Sequence, residues 1–257
     1  MYPIDLSGKK GVVFGVANDH SIAWAIAQIL HQAGTRLAIT YQNDRFAERV
    51  SRLTGYMKDA LLLECDVTRD ESIVEAFEAI KAELGTLDFV VHSIAYANRE
   101  DLQGSFSQIA RYNFLLSLDI SAYSLLPIVR HAAPLMLDGG SVVTMTFQAS
   151  ERVFPGYNVM GTAKAALENE VRQLSEEYGR QNIRINAISA GPLETLASRG
   201  IHGFPEMRRI HAEKSPLKRN ITLEEVAKTA LFLCSALSSG ITGSIIPVDA
   251  GYHIMAI

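Results

Sequence analysis

The chain alternates short apolar, β-branched runs with longer segments of helical periodicity. Runs with the length and composition of buried strands cover residues 10–16, 36–41, 61–67, 87–94, 141–147, 184–189 and 244–248. Segments that repeat apolar residues with the 3.6-residue helical period cover residues 22–32, 45–53, 71–84, 111–132, 159–178 and 223–236. Turn signals such as Asp138-Gly139-Gly140 separate the two kinds of segment.

This alternation predicts a doubly wound, Rossmann-type α/β fold. We expect a parallel seven-stranded sheet with helices on both faces, in a single domain over residues 1–257. Ligands in such folds bind at the carboxyl ends of the strands. Segments that lose periodicity fall at those predicted ends, at residues 17–21, 41–44, 95–110, 148–156 and 190–210. The sequence therefore predicts a ligand site built from these loops.

Composition and charge narrow the classes of partner. A chain of 257 residues that is 48% hydrophobic can bury one large core. Its formal net charge of -4 argues against a nucleic acid or an anionic membrane surface as the main partner. No uninterrupted apolar stretch approaches the ~20 residues of a membrane span, because Arg130 and His131 interrupt the candidate at residues 125–137. We expect small molecules or proteins as partners.

Cysteine and histidine usage indicates a reducing compartment and no metal. The chain contains two cysteines, Cys65 and Cys234, each among apolar residues, which suits buried thiols in the cytoplasm. The residues before the first strand lack the features of a signal peptide. Seven histidines are scattered without metal-ligand spacing.

Tyr157 and Lys164 form the most informative pair of polar residues. On an α-helix, side chains seven positions apart share one face, with origins ~10.5 Å apart along the axis. An ammonium group near a phenol favours the ionised form of a hydroxyl whose pKa is ordinarily about 10. The pair therefore predicts stabilisation or protonation of an oxyanion. A surface pair on an amphipathic helix is the alternative.

The loop after the first strand has the features of a phosphate-binding turn. Gly15 permits a tight turn, and Ser21 is placed to cap the next helix, whose free N–H groups and dipole favour an anion. The segment is not the Gly-x-Gly-x-x-Gly dinucleotide fingerprint. An ordinary strand-to-helix turn therefore stays open as an alternative.

Residues at the ends of the next strands bear on the choice of cofactor. Gln42 follows the second strand and can hydrogen-bond a ribose without adding charge, although it excludes neither dinucleotide. Asp44 beside Arg45 weakens the case for a 2′-phosphate site, so we favour NADH over NADPH.

Asp66 and Val67 follow the third strand, where they can contact an adenine; a solvated turn is the alternative for Asp66. Ser93, Ile94 and Ala95 end the fourth strand, where small side chains let a cofactor approach the backbone; a plain β-turn is the alternative.

Five motifs occurring in order carry a resemblance to a known family. They are Gly15-Val16-Ala17-Asn18 with Ser21-Ile22-Ala23, Cys65-Asp66-Val67, His92-Ser93-Ile94-Ala95, Tyr157-Asn158-Val159-Met160-Gly161 with Ala163-Lys164, and Asn186-Ala187-Ile188-Ser189-Ala190-Gly191-Pro192. Over nearly the whole chain, the sequence resembles the bacterial NADH-dependent enoyl-acyl-carrier-protein reductases, a divergent branch of the short-chain dehydrogenases. Ordinary short-chain dehydrogenases have Lys four residues after Tyr, whereas here Gly161 stands four residues after Tyr157 and the lysine, Lys164, follows at seven.

The resemblance implies NADH-dependent reduction of a trans-2-enoyl thioester carried on acyl carrier protein, in a homo-oligomer that we expect to be a tetramer. Tyr157 would hydrogen-bond the enolate oxygen, and Lys164 would hold the nicotinamide ribose. The implied dinucleotide contacts are Gly15, Ser21, Ile22, Gln42, Asp66, Val67, Ile94, Lys164, Leu193, Glu194, Thr195, Leu196 and Ala197. The implied substrate contacts are Ala97, Phe147, Tyr157, Met160, Phe204 and Met207.

Two residues depart from the family pattern. Phe147 stands where the family has a second tyrosine ten residues before the catalytic one, so a hydroxyl is missing. Glu194 stands where the family has an arginine beside the cofactor phosphates. A Glu194 side chain pointing inward would weaken dinucleotide binding, whereas one facing solvent would change little.

The segment at residues 195–210 is predicted to be a mobile lid, because Ile201, Phe204 and Met207 are more large apolar residues than a solvated loop needs. An ordinary surface connection is the alternative. Two other functions also stay open: a reductase of enoyl-CoA or of another conjugated carbonyl, and a dinucleotide-binding regulator without turnover.

Overall fold

The fold is a single parallel sheet between two layers of helices. A computed structural model describes residues 4–256, without the side chains of Ala197 and Arg199. The strands are β1 (Lys10–Phe14), β2 (Arg36–Tyr41), β3 (Leu61–Glu64), β4 (Phe89–His92), β5 (Gly140–Thr146), β6 (Ile183–Ala190) and β7 (Ile245–Val248). All neighbouring strands pair in parallel, in the order β3-β2-β1-β4-β5-β6-β7. The predicted seven-stranded Rossmann-type fold is confirmed.

Nine α-helices connect and cover these strands in the described residues. They are α1 (Ile22–Gln32), α2 (Asp44–Thr54), α3 (Asp70–Leu84), α4 (Arg99–Gln103), α5 (Arg111–Leu118), α6 (Leu125–Ala132), α7 (Val159–Gly179), α8 (Phe204–Lys214) and α9 (Leu223–Cys234). Two apolar clusters lie on opposite faces of the sheet. One contains residues of α3, α6 and α7, and the other contains residues of α1 and α9.

The helix predicted over residues 111–132 is divided in two by a π-helical turn at Asp119–Tyr123. Together with the 3-10 turn Ala133–Leu135 after α6, these segments form one helical stretch, Arg111–Leu135. By length and composition, this stretch is long and apolar enough to cross a membrane. This corrects the expectation that no stretch reaches that length, which considered only uninterrupted apolar runs. Of the most apolar window in this stretch, 44% is buried inside the protein, and core helices of soluble proteins pass the same length and composition test.

Two short or partly polar helices escaped the periodicity analysis. Helix α4 has five residues, too few for a period to emerge, and it lies in the segment that was predicted as an irregular loop. Helix α8 occupies the second half of the predicted lid, and Ala197–Gly200 forms a 3-10 turn in its first half. Both helices lie beside the loops at the carboxyl ends of the strands.

Candidate active site

The first part of the site lies where the sheet changes winding direction, between β1 and β4. Gly15 follows β1 with φ of +95°, and a Cβ added there would lie 2.1 Å from the carbonyl oxygen of Ser93. Only glycine therefore fits this close approach of the two strand ends. The crevice at such a reversal is where doubly wound sheets bind ligands.

Helix α1 begins at this crevice with an N-terminus suited to an anion. Ser21 caps the helix: its Oγ accepts a hydrogen bond from the Trp24 amide at 3.3 Å and donates to the Asn18 carbonyl at 2.7 Å. The first turn contains no acidic residue, so nothing there opposes the attraction of the helix dipole for negative charge. With Ile22 as its first residue, this end of α1 fits a dinucleotide diphosphate.

The residues predicted around the adenosine lie at the ends of β2, β3 and β4. Gln42 is exposed directly after β2, Val67 is buried, and Ile94 is half-buried just after β4. Asp66 is engaged in its own turn: its Oδ1 accepts hydrogen bonds from the Thr68 amide at 3.0 Å and the Thr68 hydroxyl at 2.8 Å. Its other carboxylate oxygen stands outside these contacts.

Tyr157 precedes helix α7 instead of lying on it. The helix starts at Val159, and positive φ values at Gly156 (+83°) and Asn158 (+39°) exclude helical backbone on both sides of Tyr157. Tyr157 and Lys164 therefore do not share one helix face, and that prediction is wrong. The two residues instead approach the same strand end by different routes.

Lys164 lies on α7 with its side chain buried, and its Nζ donates to the Met145 carbonyl near the end of β5 at 2.7 Å. Burial lowers the pKa of the ammonium group to about 8, although the nearby Glu168 carboxylate acts in the opposite direction. Glu168 is buried as well and accepts a hydrogen bond from the Thr146 hydroxyl at 2.7 Å. The sequence analysis missed Glu168, although its i+4 spacing from Lys164 was a usable signal.

Tyr157 meets the end of β5 through aromatic contacts. Its ring centroid lies 4.9 Å from that of Phe147, which in turn lies 4.7 Å from that of Phe154. Burial among these rings raises the pKa of the Tyr157 phenol above its ordinary value of 10. The phenol therefore stays protonated at neutral pH and can donate a hydrogen bond.

His92, at the end of β4, belongs to the support of the site. It is fully buried, with Nδ1 2.9 Å from the Thr144 hydroxyl and Nε2 2.9 Å from the Ser124 hydroxyl. Burial and the charge of Lys164 lower its pKa to about 3, so the ring is neutral. The sequence analysis used His92 only as part of a motif, because its partners come from β5 and from the turn before α6.

The other predicted substrate residues lie on the loop after β4, on α7 and on α8. Ala97 is half-buried in the loop after β4, and Met160 is buried beside the Ser121 hydroxyl, 3.8 Å from its sulfur. Phe204 is buried and Met207 half-buried on α8. The lid touches the Tyr157 loop: a Cβ added at Gly156 would lie 2.6 Å from the His202 carbonyl oxygen. These segments can form the walls of an apolar chamber.

The loop after β6 carries the last predicted cofactor contacts. Leu193 is buried and Leu196 exposed, while Thr195 exchanges hydrogen bonds with Ser198. Glu194 points to solvent, with 73% of its side chain exposed, and its carboxylate pairs with Arg208 of α8. The alternative in which Glu194 faces solvent is thus the one observed. The side chain of Ala197 lies outside the described part of the structure.

Comparison with known proteins agrees with this geometry. The family described as "Enoyl-(Acyl carrier protein) reductase" matches residues 15–253. Enoyl-[acyl-carrier-protein] reductase [NADH] FabI of Nostoc sp. is 49% identical over 255 residues, which cover 98% of this chain and 99% of the relative. The corresponding protein of Bacillus subtilis is 47% identical, with 98% of each chain covered.

Solved structures give the same result. The Bacillus cereus enoyl-acyl carrier protein reductase with NADP+ and indole naphthyridinone superimposes with a TM-score of 0.96 at 48% identity, covering 98% of this chain and 99% of that one. The Anaplasma phagocytophilum reductase in complex with NAD superimposes with a TM-score of 0.94 at 44% identity, covering 98% and 96%. With its sequence matched from the phosphate loop to the C-terminal turn, this chain belongs to the enoyl-acyl-carrier-protein reductase family.

Proposed function

We propose that this protein reduces the trans-2 double bond of enoyl thioesters carried on acyl carrier protein, with NADH as the hydride donor. The observation that carries the proposal is that two residues contact the end of β5 from different elements: the Tyr157 ring packs on Phe147, and the buried Lys164 ammonium group donates to the Met145 carbonyl. This end of β5 lies beside the crevice between β1 and β4. The activity named for the relatives is the same.

NADH fits the residues on the cofactor side. Gly15 allows the backbone to approach closely, the N-terminus of α1 offers amide groups to the diphosphate, and Gln42 offers an uncharged partner for the adenosine ribose. Glu194 faces solvent, so it does not oppose the phosphates from inside the crevice. Bound NADH supplies a hydride from nicotinamide C4 to the β-carbon of the substrate.

The chain's own residues stabilise the charge that this transfer creates on the thioester oxygen. Tyr157 donates a hydrogen bond to that oxygen, and the bond strengthens as the enolate forms; protonation of the α-carbon then completes the reduction. Lys164 would hold the nicotinamide ribose. Ala97, Phe147, Met160, Phe204 and Met207 form the apolar walls around the acyl chain, and the lid at residues 195–210 excludes water.

We further infer a homotetramer that works in the cytoplasm. An open groove of about 630 Å³ between α5, the π-helical turn and α7 is lined by apolar side chains that one chain leaves exposed, including Tyr112 and Leu115. Isologous burial of such a face is the usual basis of two-fold symmetric assemblies. Cys65 and Cys234 are buried free thiols, as suits a reducing compartment.

The decisive experiment follows NADH absorbance while the purified protein is given trans-2-enoyl thioesters of acyl carrier protein and of CoA. Oxidation with the carrier-protein substrate supports the proposal. Oxidation with CoA thioesters only would favour the alternative substrate, and NADH binding without oxidation would favour the regulator.

Replacement of Tyr157 by Phe tests the role of the phenol. It removes the hydrogen-bond donor and keeps the ring packing on Phe147, so kcat should fall on the order of 10²-fold. NADH affinity, measured by fluorescence titration, should be unchanged. Tyr56→Phe is the matched control, because Tyr56 is exposed and lies just after α2, away from every predicted site residue. A Tyr157→Phe enzyme with wild-type kcat under chemistry-limited conditions would disprove the role.

A further inference from the structure

The residue after Tyr157 adopts a backbone conformation that asparagine rarely occupies. Asn158 has φ of +39° and ψ of -121°, and the Met160 amide donates to the Tyr157 carbonyl at 3.0 Å. These values describe the first central position of a type II′ turn, which normally carries glycine. Such conformations cost free energy and persist only where the surrounding structure holds them.

The side chain of Asn158 supplies contacts that hold this turn. Asparagine before a helix usually caps that helix with its side-chain oxygen, but Asn158 makes no such bond to α7. Its Nδ2 instead donates to the Asp101 carbonyl and the Gly104 carbonyl, each at 2.9 Å. Because both partners are acceptors, the amide orientation is unambiguous, and both hydrogens of the NH₂ group are used.

The two carbonyl groups belong to the end of α4. The last carbonyls of a helix lack partners within it, and a five-residue helix has little packing of its own. Asn158 therefore closes the C-terminal end of α4 while it holds the turn that presents Tyr157. Leu102 of the same helix faces the lid, since a Cβ added at Gly200 would lie 3.6 Å from its Cδ1.

We propose that Asn158 is a positioning residue for the reduction. Its side-chain amide fixes the orientation of the Tyr157 hydroxyl relative to the wall that α4 and the loop after β4 form. The inference rests on the proposed function, because the effect of a misplaced phenol is measured as a fall in kcat. A displacement of about 1 Å in such a group can lower the rate on the order of 10²-fold.

Three variants separate the amide contacts from the backbone strain. Asn158→Ala removes the contacts and keeps the strain, Asn158→Gly removes both, and Asn158→Asp keeps the shape but turns an oxygen toward two carbonyl oxygens. With trans-2-enoyl acyl carrier protein and saturating NADH, each variant should lower kcat by 10- to 100-fold. The dissociation constant for NADH should stay within about twofold, because the cofactor crevice is unchanged.

Asn113→Ala is the matched control. The Asn113 Nδ2 donates to the Asp101 Oδ1 at 3.3 Å. The substitution therefore removes an amide contact to the same helix without touching the Tyr157 turn. We expect wild-type kcat for this control. The thermal unfolding midpoint of each variant shows that it is folded.

The outcomes are distinct. Wild-type kcat in Asn158→Gly would overturn the proposal, since the turn would then need no amide contacts. An equal loss of kcat in Asn113→Ala would overturn it too, because any weakening of α4 would suffice. If the wild-type protein oxidised no NADH with any enoyl thioester, the proposed function would fail instead, and that result is obtained before any variant is made.

Discussion

At the residue scale, the buried ammonium group of Lys164 sets a limit on the pH range of the reaction. Burial lowers its pKa to about 8, so the group loses its charge as the pH rises through that value. Below pH 8 the charge is present in the free enzyme, where the proposed role of Lys164 in holding the cofactor needs it. We therefore expect kcat/KM to fall on the alkaline side with an apparent pKa near 8.

Removing the Glu168 carboxylate should lower the apparent pKa at which kcat/KM falls. Glu168 raises the pKa of Lys164 against the effect of burial, so Glu168→Gln should lower it and shift the alkaline limb of kcat/KM to lower pH. The glutamine oxygen can still accept from the Thr146 hydroxyl, which keeps the local structure.

A suitable control for this shift is Glu176→Gln, which removes the same charge from an exposed position on α7. Its pH profile should match that of the wild type. An unchanged alkaline limb in Glu168→Gln would show that another group limits the rate.

At the element scale, an ion pair joins the loop after β6 to the lid helix α8. Glu194 of the loop pairs with Arg208, one turn beyond Phe204. Both groups reach solvent, and exposed pairs of this kind contribute about 0.2–1 kcal/mol. The pair thus exerts a modest bias on the lid relative to the cofactor loop.

Charge reversal makes this bias measurable. Glu194→Arg restores the family's cation but places it against Arg208, so the lid should be held less well and KM for the enoyl thioester should rise several-fold. The second change, Arg208→Glu, should return KM towards the wild-type value, and the difference should shrink in high salt. Equal KM values for the single and double variants would refute the coupling.

At the scale of the whole molecule, the exposed groove beside α5 and α7 predicts assembly. Leu115 and Tyr112 are 57% and 73% exposed, and apolar surface of this kind is costly to leave in water. We expect a solution mass of about four times the 28.2 kDa of one chain.

Leu115→Asp should reduce that mass, measured by light scattering coupled to size-exclusion chromatography. Leu137→Asp provides the comparison, because Leu137 is 74% exposed but lies before β5, outside the groove. A monomeric wild type, or equal masses for both variants, would contradict this assignment of the interface.

The sequence by itself determined the sheet, its strand count and most helices. Buried parallel strands are continuous apolar runs, and the connecting helices show a 3.6-residue period; both signals are local. It also identified Gly15, Tyr157 and Lys164 as candidate site residues, because their residue types and motif order are visible without coordinates. The short α4 and the partly polar α8 were not predicted, because their sequences show too weak a helical period.

Only the tertiary structure decided how the site is assembled. The partners of Lys164 and His92 come from strands and turns distant in sequence, so no local pattern contains them. The position of Tyr157 depends on the positive φ of Asn158, which is maintained by carbonyl groups more than fifty residues earlier in the chain. A periodic sequence pattern predicts only regular helices and strands. The site lies where helices and strands end, and its hydrogen bonds come from segments distant in sequence.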